Sequence, residues 1–140
     1  MNPFALELLR RLAREHGTPL WVYDAATIRA RIAELQGFDT IRYAQKANAN
    51  LHILKLMRAE GVVVDAVSAG EIARALAAGY DARDADHPGI VFTADVLSAD
   101  VLALVKQHGI PVNCGSVDML HQLGAAAPGH RVWLRINPGF

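Results

Sequence analysis

The chain has 140 residues, 52% hydrophobic and 20% charged, a balance that suits an ordinary globular protein with a real core. Lysine plus arginine and aspartate plus glutamate both total 14, so the formal net charge is zero. Neither a nucleic-acid footprint nor an anionic-membrane partner is expected from that balance. One cysteine, Cys114, excludes an intrachain disulfide and fits a reducing compartment. No apolar run is long enough to span a bilayer, and Met1-Asn2-Pro3-Phe4 does not open a secretory pattern, so the expected location is the cytoplasm.

In chain order, the pattern predicts a first helix from Pro3 to His16, capped by Asn2 and stopped at Gly17. Leu20 to Tyr23 is a short β-prone run. Asp24 then caps a helix from Ala25 to Gln36, which Gly37 ends. After Thr40 the chain alternates. Strands are predicted at Ile41–Gln45, Val62–Val67, Ile90–Thr93, Val112–Cys114 and Val132–Ile136. Between them lie helices at Leu51–Glu60, Glu71–Ala78, Ala99–His108 and Val117–Leu123. Gly61, Gly79, Gly109 and Gly124 follow these helices as left-handed stops. Asp81–Gly89 reads as a surface loop.

Strand–helix alternation at this length means parallel βαβ units in an α/β fold. Strand starts recur about every 23 residues, which suits either an open doubly wound sheet or part of a (β/α)₈ barrel. A full barrel needs roughly 250 residues, and five strands fit here. The expected division is residues 1–37 as a lead-in and residues 38–140 as the alternating part. The sequence stops directly after a strand, so a fragment is expected.

The strand ends carry the chemistry. The first run delivers Lys46 and then Asn48; the second carries Asp65 and Ser68; the third ends in Thr93 and Asp95; the fourth carries Asn113 and Ser116; the fifth carries Arg135 and Asn137. Polar groups gathered at the C-terminal ends of apolar parallel strands are how such folds build sites. Lys46, on a rigid element and expected to be sheltered by Tyr43 and the neighbouring strands, is the kind of amine that forms an imine with a carbonyl. A strand-end lysine reaching to solvent is the plainer reading of the same position. Serines at the strand ends are accounted for by helix capping. Ser68-Ala69-Gly70-Glu71 has the form of a capping box, with Glu71 reaching back to its own cap. Capping does not account for Asp65 within Val62–Val67, or for Arg135 between Leu134 and Ile136. A charge inside a buried strand is costly unless paired, so both want partners, and Lys46 and Glu71 are the candidates.

Other chemistries find little support. There is no G-x-G-x-x-G and no G-x-x-x-x-G-K-[ST]. The six histidines are scattered without metal-ligand spacing. Cys114 reads as a small buried hydrophobe, and Trp21 and Trp133 as core. Gln45 breaks the apolar strand pattern without a physical account.

Three of these segments occur together in a known family. Tyr43-Ala44-Gln45-Lys46-Ala47-Asn48-Ala49-Asn50 resembles the Y-A-V-K-A-N-x-N lysine motif of diaminopimelate decarboxylases. Asp65-Ala66-Val67-Ser68-Ala69-Gly70-Glu71 resembles their D-V-V-S-G-G-E segment, and Leu134-Arg135-Ile136-Asn137-Pro138 their L-R-I-N-P strand. Gly109-Ile110-Pro111-Val112-Asn113 fits as well. The order and intervals match, and the likeness runs from Gly17 to Phe140. The departures are Gln45 for valine and Ala69 for glycine, neither a reacting group.

The resemblance implies a barrel of the alanine-racemase-like type that binds pyridoxal 5′-phosphate (PLP). It implies that Lys46 bonds covalently to the cofactor, with Asp65, Glu71 and Arg135 around it. The implied reaction takes carbon dioxide from meso-diaminopimelate and leaves L-lysine, in a homodimer. Decarboxylases of ornithine, arginine or carboxynorspermidine share the same lysine and aspartate. A PLP carrier without turnover, or a non-catalytic fragment, also fits. The family's phosphate-binding glycines, catalytic cysteine and C-terminal β-domain have no counterpart before Phe140, and Cys114 does not match that cysteine.

Overall fold

The chain divides between Phe38 and Asp39 into two units, and the computed structural model describes residues 4–84 and 86–139. In the first unit, helix α1 (Leu6–His16) has Ala5 at its N-cap with no side-chain cap. It begins later than the expected Pro3; Asn2 and Pro3 lie outside the described residues. Gly17 closes it at φ 79°, its N–H donating to the Ala13 carbonyl. Helix α2 (Ala25–Ala33) begins where the sequence put it, because the Asp24 carboxylate accepts from the Thr27 N–H at 2.8 Å and from the Thr27 hydroxyl at 2.5 Å. Those two bonds, the hydroxyl's first, hold the Asp24 carboxyl below its ordinary value. The helix ends at Ala33 rather than Gln36, since the Leu35 and Gln36 N–H groups turn to carbonyls three residues back. Leu20 to Tyr23 forms no strand, and Trp21 is 84% exposed rather than in the core. A β-prone run needs a neighbour's backbone to pair with, and none of the described residues pairs with this one.

The second unit holds five parallel strands: β1 (Arg42–Ala44), β2 (Val63–Ala66), β3 (Ile90–Phe92), β4 (Val112–Cys114) and β5 (Val132–Leu134). They lie side by side in sequence order. A doubly wound sheet reverses its order at a switch point, so consecutive order selects the barrel arrangement of the two that the sequence left open. Helices α3 (Leu51–Ala59), α4 (Ala69–Ala77), α5 (Ala99–His108) and α6 (Val117–Ala126) connect successive strands. Gly61, Gly79 and Gly109 take positive φ where helices end, as expected of them. Gly124 does not: α6 runs through it to Ala126, since no left-handed turn is made there.

Register assigns the two faces. Tyr43, Val64 and Ile90 stand level, as do Ala66 with Phe92 and Phe92 with Val112. This face packs under the helices on Leu54, Ile72, Ala75, Val101, Val105, Met119 and Leu123, and the core lies there. The opposite face carries Arg42, Val63, Asp65, Val91, Asn113 and Trp133. Arg42 on β1 places its guanidinium carbon 5.6 Å from the centre of the Trp133 ring on β5. In a flat sheet those strands would stand four spacings, ~19 Å, apart. The contact therefore requires the sheet to curl around this inner face, as in a barrel wall. Trp133, 40% exposed, belongs to that face and not to the core under the helices.

Candidate functional site

Strand β1 ends at Ala44, and a single 3₁₀ turn, Gln45–Ala47, carries Lys46 at the C-terminal rim. The amide residues after it have local work. The Asn50 N–H donates to Asn48 Oδ1 at 3.0 Å, and Asn50 Oδ1 caps α3 by accepting from the His52 N–H at 2.9 Å. The Tyr43 hydroxyl donates to the Asn48 carbonyl at 3.1 Å. Tyr43 therefore ties the lysine segment down from the helix side, where its ring meets the core. It does not shelter Lys46, as the sequence reading had it. Strand alternation sends the ring under the helices, and Lys46 is exposed.

Asp65 stands level with Ala44 on the inner face. Its Oδ1 accepts from the Thr93 hydroxyl at 2.6 Å, across from the end of β3. The cation that acts on it is Arg42, not Lys46. Burial pushes the Arg42 guanidinium down from its ordinary value, and the nearby Asp65 charge opposes that shift. Arg42 also donates to the Val64 carbonyl at 3.0 Å and the Pro88 carbonyl at 3.4 Å, while stacking on Trp133. The sequence reading passed over Arg42, yet its own rule finds it: Arg42 lies between Ile41 and Tyr43 as Arg135 lies between Leu134 and Ile136.

Arg135 extends the ladder beyond β5, its N–H donating to the Cys114 carbonyl at 2.9 Å. Its Nη2 reaches Asp95 Oδ1 at 2.5 Å. Asp95, and not Glu71, is thus its acidic partner. Glu71 is used locally: the Glu71 N–H donates to Ser68 Oγ at 3.2 Å, and its Oε2 accepts from the Val67 N–H at 2.8 Å. The capping box forms one residue out of the expected register, so Glu71 braces the turn between β2 and α4 instead of pairing with a strand charge. Ser116 caps α6 through the Met119 N–H, whereas the Ser98 hydroxyl turns to the Asp100 carboxylate and caps nothing.

Among the described residues, the buried side-chain polar atoms without a hydrogen-bond partner are Gln45 Oε1, Gln45 Nε2 and Arg135 Nε. Gln45 is fully buried. A buried polar group left without a partner costs about 1–3 kcal/mol. These atoms sit just past the ends of β1 and β5, and Gln45 is the residue before Lys46. The rim thus has polar capacity to spare, with a primary amine, a carboxylate and a guanidinium about it. That donor set fits an anionic carbonyl cofactor such as PLP. The cleft lined by Arg58, Gly61, Tyr80, His87 and Gly89 opens at the opposite, N-terminal ends of the strands, away from this chemistry. Cys114 is free and buried, and burial pushes its thiol up, so it behaves as the small hydrophobe expected. No cluster of metal-ligating side chains occurs among the described residues.

Residues 26–140 match the family model described as pyridoxal-dependent decarboxylase, pyridoxal binding domain. The diaminopimelate decarboxylase of Streptomyces coelicolor is 67% identical over 132 residues, which are 94% of this chain and 30% of that protein. That of Escherichia coli K12 is 62% identical over 135 residues, covering 96% of this chain and 32% of that protein. A crystal structure of diaminopimelate decarboxylase superposes with a TM-score of 0.91 at 60% identity, over 96% of this chain and 32% of the other. The chain therefore spans about a third of the length of the curated relatives it matches.

Proposed function

The chain belongs to the pyridoxal-dependent decarboxylases, and from that premise we propose that the whole protein containing it converts meso-2,6-diaminopimelate to L-lysine and carbon dioxide. The observation that carries the reading is the rim itself. Lys46 presents an exposed amine at the C-terminal end of the first strand of a barrel-ordered parallel sheet, one residue after the buried, unpartnered amide of Gln45. The substrate is the one named for relatives 62–67% identical to the chain.

In this reading Lys46 holds the cofactor through its Nζ, and Asp65 and Arg135 complete the setting with one negative and one positive charge. When bound, PLP supplies the electron sink that makes loss of carbon dioxide from an amino acid feasible. The chain's own residues supply placement. The Tyr43–Asn48 and Asn48–Asn50 bonds fix the backbone that bears Lys46. Thr93 fixes one oxygen of Asp65, and Arg42 supplies a fixed positive charge deeper on the inner face. Glu71 acts at one remove, through the Val67–Ser68 turn. Residues 38–140 are the first part of the PLP-binding barrel. We place the protein in the cytoplasm as a homodimer; among the described residues no helix is long and apolar enough to cross a membrane.

The test sets the full-length protein beside residues 1–140 alone, with PLP and with meso-diaminopimelate, ornithine or arginine as substrate. Carbon dioxide release from meso-diaminopimelate by the full-length protein alone is expected. A preference for ornithine or arginine overturns the substrate. Turnover by the 140-residue chain overturns the view that the rest of the barrel is required.

A further inference from the structure

We propose that Asp95 and Gly115 are positioning residues that latch Arg135 into place across the end of strand β4. Arg135 follows β5, Gly115 follows β4 and Asp95 lies just beyond β3, so the three stand in a row along the C-terminal rim. The Arg135 side chain crosses the middle strand to reach its partner, with Nη2 at 2.5 Å from Asp95 Oδ1. Its guanidinium lies close against position 115, where there is no side chain. A Cβ built there would lie 2.9 Å from Arg135 Nη2 and 3.2 Å from both Cζ and Nε. Separations that short force one group to move. Gly115 is not held in the left-handed region, so alanine suits its backbone, and the three atoms nearest to a methyl there all belong to the Arg135 guanidinium.

The latch leaves a buried donor unused. Asp95 takes Nη2, while Arg135 Nε is buried and has no partner among the described residues. A guanidinium offers its donors in a rigid fork, so fixing one end fixes where the other points. Pinned by Asp95 and seated on Gly115, Arg135 holds its Nε–H toward an acceptor oxygen that the described residues do not supply. This rests on the reading that Arg135 serves the PLP site, and it adds what sets the guanidinium there. A surface ion pair alone would contribute little. The role of Asp95 is orientation.

The test uses full-length protein, stripped of cofactor, as wild type, Asp95→Ala, Asp95→Asn, Gly115→Ala, Arg135→Ala and the Asp95→Ala/Gly115→Ala pair. Two readouts apply: the rate at which phenylglyoxal modifies Arg135, followed by peptide mass analysis, and the Kd for PLP from absorbance titration. With unchanged thermal midpoints, Asp95→Ala and Gly115→Ala should each speed modification several-fold and weaken PLP binding about tenfold, equivalent to about 1.4 kcal/mol. The pair should be no worse than either alone, because both act through Arg135. Asp95→Asn, keeping an acceptor without the charge, should fall between. An Arg135 modification rate unaltered by Asp95→Ala and Gly115→Ala overturns the latch. Faster modification with unchanged PLP affinity overturns the positioning role. If Arg135→Ala also binds PLP as the wild type does, it is the earlier reading of Arg135 that has failed.

Discussion

Replacing Asp65 by alanine perturbs two interactions at once. The bond from the Thr93 hydroxyl has a carboxylate acceptor and a length of 2.6 Å. Hydrogen bonds to charged groups contribute about 1.5–3 kcal/mol. The second loss is the Coulombic support that Asp65 lends to the half-buried Arg42. Breaking a buried, contacting ion pair costs about 3–5 kcal/mol. Arg42 keeps its bonds to the Val64 and Pro88 carbonyls and its place on Trp133, so only a fraction of that applies. Asp65→Ala should therefore cost about 2–3 kcal/mol, and Asp65→Asn, which keeps an acceptor for Thr93, about 1 kcal/mol. The assay is urea unfolding of the full-length protein, with Thr93→Val completing a double-mutant cycle. Cofactor retention should fall alongside stability. An Asp65→Ala protein with an unchanged midpoint and full PLP occupancy would refute the reasoning, since it would mean that solvent, and not Thr93 and Arg42, satisfies the carboxylate.

Tyr80 is buried, and its hydroxyl lies 3.1 Å from the Leu54 carbonyl and 3.0 Å from the Val62 carbonyl; Tyr80→Phe should cost about 1–2 kcal/mol in the same unfolding assay. Burial pushes the Tyr80 hydroxyl from 10.0 up to about 12. The unfolded chain loses that proton first, so this contribution is whole below pH 10 and is lost as the pH rises from about 10 to about 12. Allowing for solvent screening it amounts to about 1–2 kcal/mol, and Tyr80→Phe should flatten that alkaline slope. Gly89→Ala should destabilise by about 1–3 kcal/mol, because its Cβ would lie 2.5 Å from the Asp81 carbonyl oxygen, a backbone atom that cannot swing aside. An unchanged thermal midpoint would show that the 81–89 loop yields freely.

The alternating part of the fold was legible because two periods coincide in it. Val64, Ala66, Ile90, Phe92 and Val112 mark one strand face, and glycines mark the helix ends. Strand order was not legible from the residues, since both architectures use the same units; backbone pairing decides it. Leu20–Tyr23 and Trp21 were misread because β propensity and aromatic bulk report what a segment can bury, not what is present to bury it. The charged strand residues were found, but their partners were not. Asp65 looks to Thr93 and Arg42, and Arg135 to Asp95, because parallel pairing sets side by side strands that whole helices separate in sequence. Glu71 lay close to its own turn in sequence and was taken by it. Gly115 carried no signal at all. Its meaning depends on a side chain arriving from the neighbouring strand.

The central claim is that Lys46 is the residue that holds the cofactor. The direct measurement is borohydride reduction of the full-length protein with PLP bound, then digestion and peptide mass analysis. The account predicts a pyridoxyl group on the peptide containing Lys46. Lys55, exposed on α3, and Lys106, exposed in the last turn of α5, should remain unmodified. A pyridoxyl group on Lys55 or Lys106, with Lys46 bare, would contradict it.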